Sequence, residues 1–245
     1  MGTVVTIDLF DHAQWPLGEL ELALKEAINI LHSTDDVFST WKPDSTISML
    51  RRGEVSESDC PDEVREVLAI CRKAYTISRG WFDPWSMAGG VDPTGCVKGW
   101  SAQRALHALR RTGVQGALVN AAGDVASFGG LGAGKPFRIG IVNPTARREL
   151  ACVVDSPGAV ATSATYERGA HLIDPHTGRA RSLAASATIT GPDLGLADAL
   201  ATALAVAGEE MLRTIENLEG YEGFIVGFDR LFKMTSHFPV AATST

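Results

Sequence analysis

The segment GPDLGLADALATAL (191–204) sets a carboxylate and a hydroxyl, Asp198 and Thr202, four residues apart in a run otherwise rich in Ala, Leu and Gly. At that spacing the two share one helix face, about a turn apart. A carboxylate buried among apolar side chains needs a partner or a cation, because leaving it unpaired is costly. A carboxylate and a hydroxyl are hard oxygen donors of the kind that suit Mg²⁺. The plainer alternative is an aspartate favoured by the dipole near a helix start, with Thr202 bonding back to a carbonyl. The residues alone leave both open.

Two other stretches carry groups suited to chemistry. In GVDPTGCVKGWSAQRA (90–105) a turn delivers the chain into a helix with Lys98 close to its start. Amide groups, the positive dipole end and a lysine suit a phosphate there, although the spacing is not that of a P-loop. An ordinary Asp/Thr cap with a surface lysine accounts for the same residues. In RGAHLIDPHTG (168–178) His171 is a candidate base near neutral pH, and Asp174, three residues on, could orient it or help to bind a metal. The competing reading is a turn in which Asp174 caps its own backbone. Small hydroxyl residues in VATSATYERG (160–169) either line a pocket or pack, and NAAGDV (120–125) reads as a structural strand end and turn. Trp81, Trp85 and Trp100 surround the glycine-rich stretch 80–99, where they offer stacking surfaces for a planar ring or serve as core.

Those groups must be positioned by elements that the sequence pattern outlines. TVVTIDLF (3–10) is a strand, and apolar spacing predicts a helix over Leu17–Ser33. FSTWKPDSTISML (38–50) reads as a loop into a short strand or turn, and 61–80 as an amphipathic helix between Pro61 and Gly80. A further helix is expected from about Val97 to Arg111. Strands follow in GALVNAAGDV, FRIGIVNP, ELACVVD, GAVATSAT and SATIT (186–190). LGLADALATALAVAG is a nearly all-apolar helix, and GFIVGFDRLFKMT a hairpin around Asp229 and Arg230. Helices and strands intermix without a strict βαβ rhythm. The expectation is therefore an α+β fold, a single domain over 1–245 with a mixed or antiparallel sheet and packed helices.

Composition narrows the function classes. The 245 residues carry a net charge of −7 with a pI near 5.4, and the basic residues are scattered, which excludes a polyanion-binding face and argues against a nucleic-acid partner. No run approaches a membrane span. The N-terminal residues lack the basic and apolar regions of a signal peptide, and Cys60, Cys71, Cys96 and Cys152 form no CxxC pair. A reduced, cytoplasmic protein is the expectation.

Taken in order, the signatures S-x-I-S (45–48), F-D-P (82–84), V-D-x5-K-G (91–99), T-S-x-x-Y-E-R (162–168), H-x-I-D-P-x-T-G (171–178) and A-D-A-x-A-T-A (197–203) resemble the ApbE family of FAD:protein FMN transferases, over about residues 2–226. The resemblance implies that FAD binds with Mg²⁺, its diphosphate is cleaved, FMN passes to a Ser or Thr hydroxyl of an acceptor flavoprotein, and AMP is released. It also implies site residues: Ser48, Trp81, Phe82, Asp83, Asp92, Lys98 and Ile173 against FAD, and Gly95 with Asp198 and Thr202 at the metal. It tilts His171 and Asp174 toward catalysis. Two other activities share that site: an FAD pyrophosphatase giving FMN and AMP, and a flavin-binding protein without turnover. The sequence departs from the family where the segment between FDPW and VDPTG is short and where Ala122 stands at a position commonly occupied by glycine.

Overall fold

The computed structural model describes residues 3–10, 16–111, 113–132, 134–164 and 172–242. Helix α1 (Leu17–Phe38) follows strand β1 (Val5–Phe10). Next come α2 (Thr46–Arg51), α3 (Asp62–Ser78) and α4 (Thr94–Arg111). Strands β2 (Gly116–Ala121), β3 (Asp124–Phe128), β4 (Arg138–Val142), β5 (Leu150–Asp155) and β6 (Ala159–Ala164) form the middle of the chain. They are followed by the short β7 (Ile173–Asp174) and β8 (Arg179–Ala180), then β9 (Ser186–Gly191). Helices α5 (Leu194–Ala207) and α6 (Glu209–Ile215) lead to the hairpin β10 (Glu222–Val226) and β11 (Phe232–Met234). Seven strands make one sheet in the order β1-β2-β3-β6-β9-β10-β11, with every neighbouring pair antiparallel. This is the α+β class expected, with an antiparallel sheet.

Alternation along β3 shows how the layers are built. Ala126 faces the large core under the helices, and Val125 faces a smaller one with Val154, Val160, Phe224 and Phe238 on the other side of the sheet. The β4–β5 ribbon belongs to that second layer. Helix α5 lies between the sheet and helices α3 and α4. A helix apolar on all sides belongs in such a place, and every residue of α5 except Thr202 is buried. Among the described residues no helix is long and apolar enough to cross a membrane.

Three local expectations are corrected. The first helix runs on to Phe38. The stretch read as a strand or turn after Trp41 contains α2, because the Ser45 hydroxyl caps it by accepting the Ser48 amide at 3.1 Å. Helix α4 starts at Thr94 rather than Val97: Asp92 Oδ1 accepts both the Thr94 amide (3.1 Å) and its hydroxyl (2.7 Å). The other expected strands and the hairpin around Asp229 lie where the pattern puts them, and Gly227 N–H closes that hairpin on Leu231 O at 2.9 Å, whereas β3 after the glycine turn, the short β7 and β8, and helix α6 stand where no element was expected.

Candidate functional site

A cleft of about 220 Å³ opens where the N-terminal turns of α4, the middle of α5 and the end of β6 converge. Close backbone packing makes the convergence possible. A Cβ on Gly99 would lie 2.4 Å from Leu194 O and 3.0 Å from Asp198 Cβ, so α4 and α5 touch there through bare backbone. Gly99 N–H donates to Asp198 Oδ2 at 3.0 Å. A Cβ on Gly95, one turn earlier, would meet the Phe82 ring at 2.9 Å and Thr202 Oγ1 at 3.7 Å. Gly95, Asp198 and Thr202 are thus brought to one corner, and Thr202 Oγ1 shares a 3.2 Å hydrogen bond with Ser163 Oγ.

The electrostatics of this corner are unbalanced. Lys98 forms an ion pair with Asp124, whose side chain is fully buried, and Asp198 is also buried. Burial, and then the adjacent Asp124 carboxylate, push the Asp198 carboxyl well above the usual range, against the opposing pull of Lys98 and the Gly99 amide. Two carboxyl groups therefore share one ammonium at the floor of the cleft, and ionising both leaves one excess negative charge there.

Around this floor, the segment 81–84 contributes Trp81, Phe82, Asp83 and Pro84, and Leu172, Ile173 and Pro175 stand opposite. Asp83 caps its own turn, accepting from Trp85 N–H at 2.9 Å and Ser86 N–H at 3.3 Å. Asp92 also borders the cleft while paired with Arg51 at 3.1 Å. Trp81 is held by a 3.2 Å bond from Nε1 to Glu210 and an edge-on contact with His176 at 4.5 Å between centroids. Ala122, at the tip of the β2–β3 hairpin, lines the cleft with φ 51°, in the left-handed region that favours glycine.

Of the residues singled out in the sequence, Trp81, Phe82, Asp83, Asp92, Gly95, Lys98, Ile173, Asp198 and Thr202 line this one cleft. Ser48 does not. It is on the buried face of α2, its hydroxyl donating to Ser39 O at 3.2 Å, which is a loop-fastening role. Asp174 does not line the cleft either. Its Oδ1 accepts the His176 amide at 2.9 Å and its Oδ2 pairs with Arg181 at 2.9 Å, so the turn reading accounts for it. His171 lies outside the described residues. Of the three tryptophans only Trp81 borders the cleft: Trp100 is core against Phe38, and Trp85 lies under Arg72. Asp124, read as a turn residue, is instead a fully buried carboxyl paired with Lys98 beneath the cleft. Thr162 and Ser163 take the pocket-lining alternative.

The side-chain donors at this corner are oxygens: the Asp198 carboxyl and the Thr202 and Ser163 hydroxyls. Among the described residues no group of three His, Cys, Asp or Glu side chains is placed to hold a metal ion. An ion that accepts few carboxylates and keeps water fits such a corner, and Mg²⁺ is of that kind. Excess negative charge favours a cation there.

Fold and cleft define an α+β protein with a polar cleft at the junction of two helices and a strand end. The sequence model of the ApbE family matches residues 1–89 and 85–225, and the chain belongs to that family. It is 33% identical over 131 residues to FAD:protein FMN transferase of Vibrio cholerae, covering 49% of this chain and 39% of that protein. With the enzyme of that name from Escherichia coli K12 it shares 31% over 147 residues, 56% of this chain and 42% of that one. These matches span less than half the length of the curated relatives. Among solved structures, the flavin transferase ApbE from Vibrio cholerae superposes with a TM-score of 0.82 at 21% identity, covering 97% of this chain and 95% of that one. The flavinyl transferase ApbE from Pseudomonas stutzeri does so with 0.82 at 24%, covering 96% and 92%. At these identities the superpositions establish a shared fold.

Proposed function

We propose that the chain is one flavin-transferring domain that binds FAD in this cleft and transfers FMN to a Ser or Thr hydroxyl of an acceptor flavoprotein, with Mg²⁺ bound beside the diphosphate. The observation that carries the proposal is the convergence of Asp198, Thr202, Gly95 and Lys98 on one cleft in a chain of the ApbE family. In the reaction, the acceptor oxygen bonds to the phosphorus on the FMN side. The bond from that phosphorus to the bridging oxygen breaks, and the bridging oxygen leaves with AMP. Asp198, Thr202 and the Gly95 carbonyl would hold the cation, which supplies charge neutralisation on the diphosphate. Lys98 adds a fixed positive charge and the amides at the start of α4 add donors. Phe82 and Trp81 offer apolar surface to the flavin nucleotide. His171 is the group we assign to take the hydroxyl proton. Asp174 acts through the turn that follows His171, fastening it to Arg181. The free cysteines are buried or half-buried, which favours a reducing, cytoplasmic setting.

Incubation with FAD, Mg²⁺ and a candidate acceptor, followed by intact-mass measurement of the acceptor, tests this. FMN should be added, and Asp198→Ala should abolish addition. Rapid AMP release without acceptor would replace transfer by hydrolysis. FAD binding without any product from the unaltered chain would reduce the protein to a flavin binder.

A further inference from the structure

The ladder between β3 and β6 stops early. Val125 pairs with Val160 and Ala126 with Ala159, but β6 runs on to Ala164 paired only with β9. Where the next backbone bond would fall, the Asp124 side chain takes over: its Oδ1 accepts the Thr162 amide at 3.0 Å. The β2–β3 hairpin and β6 are thereby held apart, and Thr162, Ser163 and Ala164 on one side face Ala122 on the other across the cleft. The other oxygen of Asp124 faces the Lys98 ammonium. Asp198 lines the same cleft as Lys98 and accepts the amide of the next residue, Gly99, at 3.0 Å, so the ammonium acts on two buried carboxyl groups that adjoin each other and is paired with one of them, Asp124.

We infer that Asp124 is a positioning residue for the cation: by engaging Lys98 it keeps the ammonium from neutralising Asp198, and leaves Asp198 to a divalent ion. The inference rests on the reading of Asp198 and Thr202 as the metal corner. Its physical content is a charge count. A cation held by Asp198 requires that carboxyl in its ionised form, and with Asp124 and Lys98 also charged the protein groups of the corner then carry one net negative charge. Asparagine at 124 preserves an acceptor for the Thr162 amide but brings the count to zero and releases Lys98 toward Asp198. Both effects weaken cation binding. Groups that set the environment of a metal ligand are worth about 10–100-fold in affinity.

Direct titration with Mn²⁺, followed by electron paramagnetic resonance of the free ion, reads this without activity. Asp124→Asn should bind Mn²⁺ at least about tenfold more weakly than the unaltered chain. Removing the competing ammonium as well, in the double variant Asp124→Asn with Lys98→Met, restores one negative charge and should recover most of the lost affinity. Equal affinity in Asp124→Asn, or a double variant no better than the single one, overturns the inference. Should Asp124→Asn not fold, Lys98→Met decides alone: it should bind Mn²⁺ at least as tightly as the unaltered chain, and weaker binding refutes the competition. If the unaltered chain binds no Mn²⁺, the metal reading of Asp198 fails and this inference with it. Binding that is present but indifferent to residue 124 removes the inference only.

Discussion

Asp174 and Asp124 are both almost completely buried, yet they answer to different partners. Burial opposes ionisation of Asp174, but Arg181, the His176 amide and the Thr177 hydroxyl outweigh it and hold its carboxyl below the usual range. A lowered folded-state value stabilises the fold above the unfolded value, about pH 4 for aspartate. That contribution is lost as pH falls through the folded value. Melting curves should therefore show Asp174→Asn losing less Tm than the unaltered protein between about pH 6 and pH 3, and parallel losses would mean that the Arg181 pair adds no net stability. Asp174 was visible as a turn residue because its partners are local, two to seven positions away. Asp124 was not, because what gives it meaning is Lys98 on a helix 26 positions earlier and Thr162 on a strand 38 positions later. A Gly-Asp pair at a strand end has the same sequence in a solvated turn as in a buried one.

The elements themselves were largely legible because their periodicities are strong. The all-apolar run of α5 specifies a buried helix, and the alternating runs specify strands. The missed α2 is six residues long and depends on one serine cap, too short for apolar spacing to reveal it. The order of strands in the sheet was beyond the pattern, since it depends on which edges meet in space. Contact between α4 and α5 depends on Gly99, whose lack of a side chain lets the two backbones touch. Alanine there would have to displace Leu194 O and Asp198 together, an overpacking that costs about 1–3 kcal/mol. For a chain of this size that lowers Tm by about 2–12 °C. Gly18, at the exposed start of α1 with nothing within 4 Å of an added Cβ, has the opposite expectation: alanine should stabilise by up to about 1 kcal/mol. Thermal denaturation of the two variants side by side checks the contrast, and a Gly99→Ala protein as stable as the parent would show that α4 and α5 have room to separate.

At the scale of the whole molecule the charges pose a problem that the proposed ligand must solve. A protein of net charge −7, whose cleft floor sets two carboxyl groups against one ammonium, offers a diphosphate little net attraction by itself. A divalent cation in the same cleft reverses that balance for the ligand, and the ligand does the same for the cation. Their binding must then be coupled, each raising the affinity of the other by one shared factor. Because bound ligand stabilises the folded state by mass action, the coupling is readable from Tm. FAD with Mg²⁺ together should raise Tm by more than the sum of the shifts each gives alone. Asp198→Asn should lose that excess while keeping the shift from FAD alone, since the apolar contacts of Trp81 and Phe82 do not depend on the cation. Strictly additive shifts in the unaltered protein would place the cation and the diphosphate too far apart to share the cleft, and the assignment of Asp198 and Thr202 to the metal corner would fall.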